Sequence, residues 1–283
     1  MGPRLTWGDR TYVMGIVNVT PDSFSGDGLA APGRQLPDVV AAAVEQARTF
    51  VASGAEIIDI GAESTRPRSA YGEHPEVDAE AEVALAIPVV RAVAETLGDR
   101  VIVSIDTSKG SVAREALDAG ATMVNDVWAA TRDPDTASAA ADAGAHLVLM
   151  HNQEEIDYPN GVFETVVGWL RKAVDAAVER GMTRDRIIVD PGIGFGKGTV
   201  ENLELLRRLK ELKAAIGELP LLVGTSRKRF LGELLDGAPP EDRVEGTAAT
   251  VALAIAAGAD IVRVHDVAHI ARTRRVADAI VRP

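Results

Sequence analysis

The chain has 283 residues, a length that suits one α/β barrel or two smaller domains. Hydrophobic residues make up 46% of it and charged residues 25%, which excludes a disordered or collagen-like chain. It contains no cysteine, so disulfides, thiolate metal sites and a cysteine nucleophile are excluded as well. The formal net charge of −12 argues against general binding to nucleic acid or to an anionic membrane.

The sequence has no segment typical of membrane insertion or export. The apolar run 246–259 is too short for a span of about 20 residues. The first ten residues lack the apolar stretch of a signal peptide. We therefore expect a cytoplasmic protein.

A short pattern recurs four times along the chain: the end of a helix, a glycine, and then a β-branched run. It is centred on Gly54, Gly120, Gly144 and Gly258. Glycine takes the left-handed conformation that ends a helix, and short continuous apolar runs are typical of buried parallel strands. Eight such runs are present, at residues 12–17, 57–60, 101–105, 123–127, 146–150, 187–189, 219–223 and 261–264.

Helical patterns separate these runs, for example at 40–51, 171–180, 200–212 and 247–257. Strands that alternate with helices indicate a parallel sheet, and eight such units favour closure into a barrel over an open sheet. The helices that flank the fourth strand must be short. No linker or low-complexity tract divides the chain, so we expect residues 1–283 to form a single α/β domain, a (β/α)8 TIM barrel.

The segments without periodicity follow predicted strands. The longest are 20–37 and 64–77, after strands one and two, and shorter ones occupy 152–161 and 192–198, after strands five and six. In a parallel barrel all of them lie at the carboxyl-terminal face, where such folds place their active sites.

Polar side chains close every predicted strand, so one rim of the barrel should be strongly polar. Asp106, Asn125 and Arg263 emerge from apolar strands, where an unpaired polar group is costly to bury. A polar ligand explains these residues better than the general tendency of strand ends to carry polar residues because loops are exposed to water. Asp106, Asp190 and the Asn125 amide can bind the amino and amide edges of a planar heterocycle, with Lys228 as a charged donor.

Cationic residues collect where strand eight should meet strand one. Arg263 and His265 are expected beside Asn18 in a closed barrel, which makes a patch suited to phosphate. The Asn18 amide oxygen is a hard ligand that can hold Mg²⁺ together with substrate phosphates. The rim therefore predicts a heterocycle that carries a pyrophosphate.

Other patterns are less informative. The glycine-rich run 192–197 fits neither of the common nucleotide-binding glycine motifs, and we expect a mobile substrate loop there. His74, His146 and His269 have no partners at metal-ligand spacing, which favours packing or surface roles. His151 closes strand five, and both a packing role and a site role stay open for it.

Seven motifs, in order from about Met14 to the last helix, resemble those of the dihydropteroate synthase family. They are GIVNVTPDSFS at 15–25, ESTRP at 63–67, DT at 106–107, ND at 125–126, DPGIGFGK at 190–197, SRKRF at 226–230 and RVHD at 263–266. The resemblance implies a transferase of folate biosynthesis. It would condense 6-hydroxymethyl-7,8-dihydropterin pyrophosphate with para-aminobenzoate to give 7,8-dihydropteroate and pyrophosphate. A dissociative substitution is implied, in which pyrophosphate leaves before the amine attacks a pterin cation.

The same resemblance implies roles for individual residues. The pterin-binding residues would be Asp106, Asn125, Asp190 and Lys228, and with Arg263 and His265 they complete the implied catalytic set. The para-aminobenzoate pocket would consist of Phe24, Thr65, Arg66, Pro67, Phe195 and Arg229. Pyrophosphate would be bound by Asn18, Arg66, Arg263 and His265, with the Mg²⁺ cofactor on Asn18. A homodimer and a sulfonamide target are implied as well.

The sequence departs from the family pattern at several positions. Residues 25–28 read SGDG where SDGG is common, and Ala62 and Ala129 replace common glycines. Arg68 stands where glycine usually follows Thr-Arg-Pro. Arg68 has the largest consequence, because its bulk and charge lie beside the implied aminobenzoate pocket, where they either help to bind the carboxylate or crowd it.

Two alternatives to the synthase stay open. A methyltransferase that passes a methyl group from methyltetrahydrofolate to a corrinoid partner shares the barrel and similar acid and amide positions. It needs neither Ser-Arg-Lys nor a pyrophosphate clamp. A catalytically silent paralogue would only bind pterin, and the intact set of polar residues weighs against it.

Overall fold

Eight parallel strands form one sheet in this computed structural model, which describes residues 4–20, 28–30, 33–63 and 77–282. The strand order is β6-β5-β4-β3-β2-β1-β8-β7, and a parallel bridge between Val189 and Leu221 links the two ends. The sheet is therefore a nearly closed barrel, which confirms the predicted fold. The strands are β1 Tyr12–Asn18, β2 Ile57–Gly61, β3 Ile102–Asp106, β4 Met123–Asp126, β5 His146–Met150, β6 Ile187–Asp190, β7 Leu222–Val223 and β8 Ile261–Val264.

Helices alternate with the strands along the described residues. They are α1 Leu36–Ser53, α2 Ala79–Leu97, α3 Gly110–Asp118, α4 Asp135–Asp142, α5 Val162–Glu179, α6 Thr199–Arg207, α7 Leu209–Ala215, α8 Arg229–Leu234, α9 Val244–Ala256 and α10 Val267–Val281. Helices α3 and α4, which flank β4, are short as expected, with 9 and 8 residues. None of the helices in the described segments has the length and hydrophobicity to cross a lipid bilayer.

One predicted helix is broken in two. The pattern at 200–212 predicts a continuous helix, but the backbone at Arg208 leaves helical geometry (φ −108°, ψ 16°) between α6 and α7. The Arg208 guanidinium lies 3.5 Å from the centre of the Phe163 ring and pairs with Glu204 and Glu211. These contacts hold Arg208 at the break between the two helices. Hydrophobic periodicity carries no information about them, so the sequence pattern does not predict the break.

The recurring glycines end helices, as their pattern predicts. Gly54, Gly120, Gly144 and Gly258 have φ values of 109°, 109°, 62° and 97°. At Gly54 the backbone N–H donates to the carbonyls of Phe50 and Val51, which closes α1 and turns the chain into β2. The repeated motif therefore sets where four of the strands begin along the barrel axis.

An apolar cluster fills the amino-terminal half of the barrel interior. It is built from inward-facing residues near the start of each strand, with Leu5 and Trp7 packed against it: Tyr12, Met14, Ile57, Ile102, Met123, Val148, Ile188, Leu222 and Ile261. A second and larger cluster lies between the strands and the surrounding helices. The interior cluster leaves only the carboxyl-terminal half of the barrel for polar groups.

The turn after β4 contains two residues in the left-handed region, Ala129 (φ 49°) and Ala130 (φ 58°). Ala129 occupies one of the positions where the resembled family commonly has glycine, and an alanine there costs about 1–2 kcal/mol of backbone strain. The Asp126 carboxylate offsets that strain, because it accepts hydrogen bonds from the Trp128 and Ala130 N–H groups and from the Thr136 hydroxyl. The turn therefore keeps its shape without the glycine.

Candidate active site

A layer of polar side chains lies directly above the apolar cluster inside the barrel. Side chains of a strand alternate between its two faces, so a residue two positions after an inward-facing one also faces inward. Asp59 follows Ile57 by two, Ser104 follows Ile102, Asn125 follows Met123, and Arg263 follows Ile261. The strand period therefore places four polar groups from four strands in one layer.

Asp59 is the centre of this layer and is fully buried. Its carboxylate accepts hydrogen bonds from the Ser104 hydroxyl (2.6 Å), the Asn125 amide (2.9 Å) and Arg263 Nε (2.7 Å). Arg263 Nη2 also donates to Asp106 Oδ2 (2.6 Å), so one guanidinium joins two carboxylates from different strands. Asp59 is not among the predicted site residues, although a charged residue inside the apolar run 57–60 is the same signal that indicates Asp106.

Asp106 retains an unused acceptor. Its Oδ1 atom is buried and has no hydrogen-bond partner among the described residues. Burial raises the pKa of Asp106 above its ordinary value, Arg263 opposes that rise, and Asp59 adds to it by like-charge repulsion. A buried polar atom without a partner is rare in proteins, so Asp106 Oδ1 marks a position where a ligand can donate a hydrogen bond.

Asp190 ends β6 and is 5% exposed. Its Oδ1 atom accepts a hydrogen bond from the Gly192 N–H (2.7 Å). Burial raises the pKa of Asp190 to about 6, against the opposing effects of the Gly192 N–H and of Lys228, Lys197 and Arg263. Asp190 is thus a second buried carboxylate at the carboxyl-terminal end of the barrel, surrounded by cations.

Lys228 lies after β7 and is held over the glycine-rich loop that follows β6. Its Nζ atom lies 3.8 Å from the centre of the Phe195 ring, and a Cβ atom at Gly194 would lie 2.8 Å from Lys228 Cδ. The preceding residue, Arg227, forms a bidentate ion pair with Asp266 (2.7 and 3.1 Å). These contacts bring Lys228 and Phe195 together, and both belong to the implied substrate-binding set.

The glycine-rich loop packs tightly on the segment after β5. A Cβ atom at Gly192 would lie 1.9 Å from the His151 carbonyl oxygen, and one at Gly196 would lie 2.3 Å from the Gln153 carbonyl oxygen. The Tyr158 hydroxyl donates to the Gly196 carbonyl (2.7 Å). The composition predicts a mobile loop, but these contacts indicate one whose glycines allow close backbone packing.

The expected cationic patch beside Asn18 has a different arrangement. Asn18 and His265 lie at the ends of neighbouring strands, but Arg263 pairs in register with Met14, four residues before Asn18. Its guanidinium reaches across the interior to Asp59 and Asp106. His265 remains at the rim, where its N–H and its Nδ1 atom contact the Ser226 hydroxyl.

The implied aminobenzoate residues are only partly described. Phe24, Thr65, Arg66 and Pro67 lie outside the described residues, as does Arg68. Phe195 is buried, whereas Arg229 is exposed and pairs with Glu233 (3.0 Å). Arg229 lines a cavity of about 420 Å³ that it shares with the glycine-rich loop, Thr199 and Phe230.

The remaining predicted histidines fall in different places. His146 lies near the amino-terminal end of the barrel, where it packs edge-on against Trp7 and contacts Arg186. His269 is exposed on α10, and His74 lies outside the described residues. His151 is fully buried and close to Lys197.

The chain is similar in sequence to enzymes that bind pterins. The family model for pterin binding enzymes matches residues 14–265. Dihydropteroate synthase of Bacillus subtilis (strain 168) is 45% identical over 276 residues, which cover 98% of this chain and 90% of the relative. The corresponding enzyme of Synechocystis sp. is 46% identical over 285 residues, with 97% and 91% covered.

Solved structures of dihydropteroate synthases are also similar to this chain. A dihydropteroate synthase from Clostridium difficile, crystallised in the presence of pteroic acid, has a TM-score of 0.89 at 42% identity, with 99% of this chain and 100% of that chain covered. A Xanthomonas albilineans dihydropteroate synthase with 4-aminobenzoic acid has a TM-score of 0.85 at 39% identity, with 96% and 93% covered.

We predict that Asp190→Asn stabilises the protein without ligand near pH 8 by up to about 3 kcal/mol, because asparagine keeps the Gly192 hydrogen bond and removes a buried charge. The folded-state pKa lies above the unfolded value of 3.8, so the cost of the carboxylate is full above about pH 6 and fades as the pH falls towards 4. Urea unfolding near pH 8 and near pH 4 measures the difference.

The matched control is Asp175→Asn, which changes an exposed carboxylate on α5. It should alter the free energy of unfolding little at either pH. A gain for Asp190→Asn that is equally large near pH 4 and near pH 8, or a loss of stability near pH 8, would contradict the proposed cost of the buried charge.

Proposed function

Because the chain belongs to the dihydropteroate synthase family of pterin binding enzymes, we propose that the polar layer and the rim above it perform the family's reaction by a dissociative substitution. The chain is a transferase of folate biosynthesis. It condenses 6-hydroxymethyl-7,8-dihydropterin pyrophosphate with para-aminobenzoate to give 7,8-dihydropteroate and pyrophosphate.

The observation that carries the assignment of the pterin pocket is the buried and unpaired Asp106 Oδ1 atom beside the polar layer. A pterin presents an amino group and ring N–H groups that need acceptors, and a carbonyl and ring nitrogens that need donors. Asp106 and Asp190 supply acceptors, and Lys228 supplies a charged donor. Asn125, which already donates to Asp59, retains its amide oxygen as a further acceptor.

The same groups account for a dissociative path. The bond between the pterin methylene carbon and the pyrophosphate oxygen breaks first, and its electron pair leaves with the pyrophosphate. The buried carboxylates Asp106 and Asp190 favour the pterin cation that remains, because their negative charge acts in a region of low dielectric constant. The aniline nitrogen then attacks the cation and loses a proton to solvent. No side chain acts as a covalent nucleophile.

Positive charge at the rim favours departure of the pyrophosphate. His265, beside Ser226, lies at the rim of β8, near the end of β1, where the leaving group would emerge. Arg263 contributes from below, and it stays paired with Asp59 and Asp106 while it does so. Arg66, outside the described residues, belongs to the same proposed set.

Mg²⁺ fits this site as a partner of the substrate. Among the described residues no cluster of three acidic or histidine side chains could enclose a metal ion, and Asn18 offers one amide oxygen. Mg²⁺ commonly keeps several waters and binds through one or two protein oxygens and substrate phosphates. Asn18 is therefore the proposed protein ligand. Bound Mg²⁺ would neutralise charge on the departing pyrophosphate.

We place the aminobenzoate beside the Phe195 ring and Lys228, with Arg229 near its carboxylate. The Lys228–Phe195 contact supports this placement, because it presents an aromatic face and an aliphatic stem next to the pterin residues. Phe24, Thr65, Arg66 and Pro67 complete the proposed pocket. A corrinoid methyltransferase would have no need of this Ser-Arg-Lys arrangement, and the relatives above are synthases.

Incubation of the protein with the pterin pyrophosphate, para-aminobenzoate and Mg²⁺ should release pyrophosphate and form dihydropteroate in equal amounts. Chelation of Mg²⁺ should slow the reaction, because charge on the leaving group is then less well neutralised. Coupled pyrophosphate detection and chromatography of the pteroate measure both products. A folded protein that forms no product above a boiled control would remove the assignment.

Lys228→Ala should weaken binding of the pterin pyrophosphate by about tenfold or more, since a hydrogen bond to a charged group contributes about 1.5–3 kcal/mol. Isothermal titration calorimetry without aminobenzoate measures the Kd. Lys210→Ala, at an exposed position of α7, is the control for the loss of one lysine charge. An unchanged Kd in Lys228→Ala would exclude Lys228 from the pterin pocket.

We also propose that the protein is a homodimer that pairs through the outer face of α9 and α10. Leu253 on α9 and Val276 and Ile280 on α10 are 69%, 63% and 76% exposed. A mainly apolar cavity of about 520 Å³ lies between the two helices and is lined by Ala252, Ala256, Val276 and Ile280, among others. An apolar patch of this kind on a protein of high net charge is typical of a self-association surface.

Ile280→Glu should convert the dimer to a monomer, because two buried charges would face each other across a two-fold interface. Sedimentation velocity at micromolar concentration measures the change. Val200→Glu is the control, since Val200 is 72% exposed on α6. A wild-type protein that sediments as a monomer, or a control that dissociates equally, would contradict this interface.

A further inference from the structure

Lys197 is a buried lysine that the reaction described above does not use. It ends the glycine-rich loop and is 7% exposed. Its Nζ atom donates to the Phe195 carbonyl (2.8 Å) and lies 2.9 Å from His151 Nδ1. Burying a lysine is unfavourable unless it is paired, so a lysine here requires a reason.

His151 is fully buried and holds Lys197 from the end of β5. Its ring packs edge-on against Trp169, with ring centres 5.0 Å apart, and its backbone N–H donates to the Asp190 carbonyl (3.0 Å). Burial and the neighbouring Lys197 lower the pKa of His151 to about 2, so the ring is neutral at physiological pH. A neutral ring can accept a hydrogen bond from Lys197 at Nδ1.

The loop that Lys197 fixes is the one that supports Lys228. Lys197 holds the Phe195 carbonyl, and the ring of the same residue lies under the Lys228 ammonium group. Asn202 fastens the rest of the loop, because its amide oxygen accepts from Gly194 N–H (2.7 Å) and its amide nitrogen donates to the Lys197 carbonyl (3.3 Å). Displacement of Lys197 would therefore shift Phe195 and disturb its contact with Lys228.

Lys197 also acts on Asp190 through its charge. Burial lowers the pKa of Lys197 to about 7, with Asp190 as the opposing influence, and the Lys197 charge in turn lowers the pKa of Asp190. Both groups therefore change protonation state within the neutral range. The titratable and charged groups around the pair are Asp190, His151, Tyr158, Glu201, Lys228 and Arg263.

We propose that Lys197, held by His151, is a positioning residue that fixes the Phe195–Lys228 contact and supplies the positive charge that keeps Asp190 ionised for pterin binding. This inference rests on the proposed pterin pocket. Lys197 does not contact the reacting atoms. Its contribution is greatest at the acidic end of the neutral range, where Lys197 is protonated and Asp190 would otherwise lose its charge.

The test compares Lys197→Met with the wild-type protein for binding of the pterin pyrophosphate without aminobenzoate, near pH 8 and near pH 6. The variant loses the hydrogen bond to the Phe195 carbonyl at either pH, which raises its Kd by a similar factor at both. Near pH 8 Lys197 is mostly uncharged, so its charge adds little there. Near pH 6 the ratio of variant to wild-type Kd should be about fivefold larger than near pH 8. A tenfold rise in the proton affinity of Asp190 would lower its ionised fraction from about one half to about one tenth.

Lys213→Met is the matched control. Lys213 is also largely buried and pairs with Asp260 (2.7 Å), before the start of β8 and away from the rim. Its loss can lower stability, but the ratio of variant to wild-type Kd should not change with pH. Lys197→Gln provides a second uncharged variant if Lys197→Met is poorly folded by circular dichroism.

A Kd ratio for Lys197→Met that is the same near pH 6 and near pH 8 would overturn the inference, as would an equal pH trend in Lys213→Met. The result is separate from the assignment of function. If the wild-type protein binds no pterin pyrophosphate, the proposed pterin pocket itself is contradicted. If the wild-type protein binds it and the variant shows no pH trend, only the proposed role of Lys197 is contradicted.

Discussion

The salt bridges of Arg263 to Asp59 and Asp106 are the interactions on which the site depends. Two carboxylates from neighbouring strands can be buried together only if a positive charge lies between them, because unpaired charges in a barrel interior are very costly. The Arg263 guanidinium is planar and carries several donors, so it can bind both carboxylates at once. Asn125 and Ser104 then satisfy the remaining acceptors of Asp59.

The position of this network along the barrel axis follows from where the inward-facing apolar residues of the strands end. The strands begin with inward-facing apolar residues, and these fill the barrel to a similar height on several sides. The next inward-facing residue on four of them is polar, so the boundary between apolar and polar interior is sharp. Beyond that boundary lie the carboxylates Asp106 and Asp190. Burial of their charges lowers the stability of the folded protein in the absence of ligand. The site is therefore less stable empty than a neutral one would be, as is common for binding sites.

Much of the fold could be predicted from sequence, because short apolar runs and glycine-terminated helices are local signals. The break at Arg208 could not, since it accompanies contacts with Phe163 and with neighbouring glutamates. The site can be predicted in part. The sequence indicates Asp106, Asn125 and Asp190 as polar residues at strand ends, whereas Asp59 lies inside an apolar strand and is not among the predicted site residues. The direction of Arg263 and the Lys197–His151 contact join residues far apart in sequence, and no local pattern encodes such pairs.

The charge distribution explains how a chain with a net charge of −12 can bind an anion. At physiological salt, charges farther than about 8 Å are largely screened, so groups near the rim determine the local field. The deepest groups, Asp59 and Asp106, are carboxylates paired by one guanidinium, and His265 and Lys228 lie beyond the carboxyl-terminal ends of β8 and β7. In the proposed site, a substrate with a donor-rich ring at one end and an anionic group at the other would bind with its ring inward.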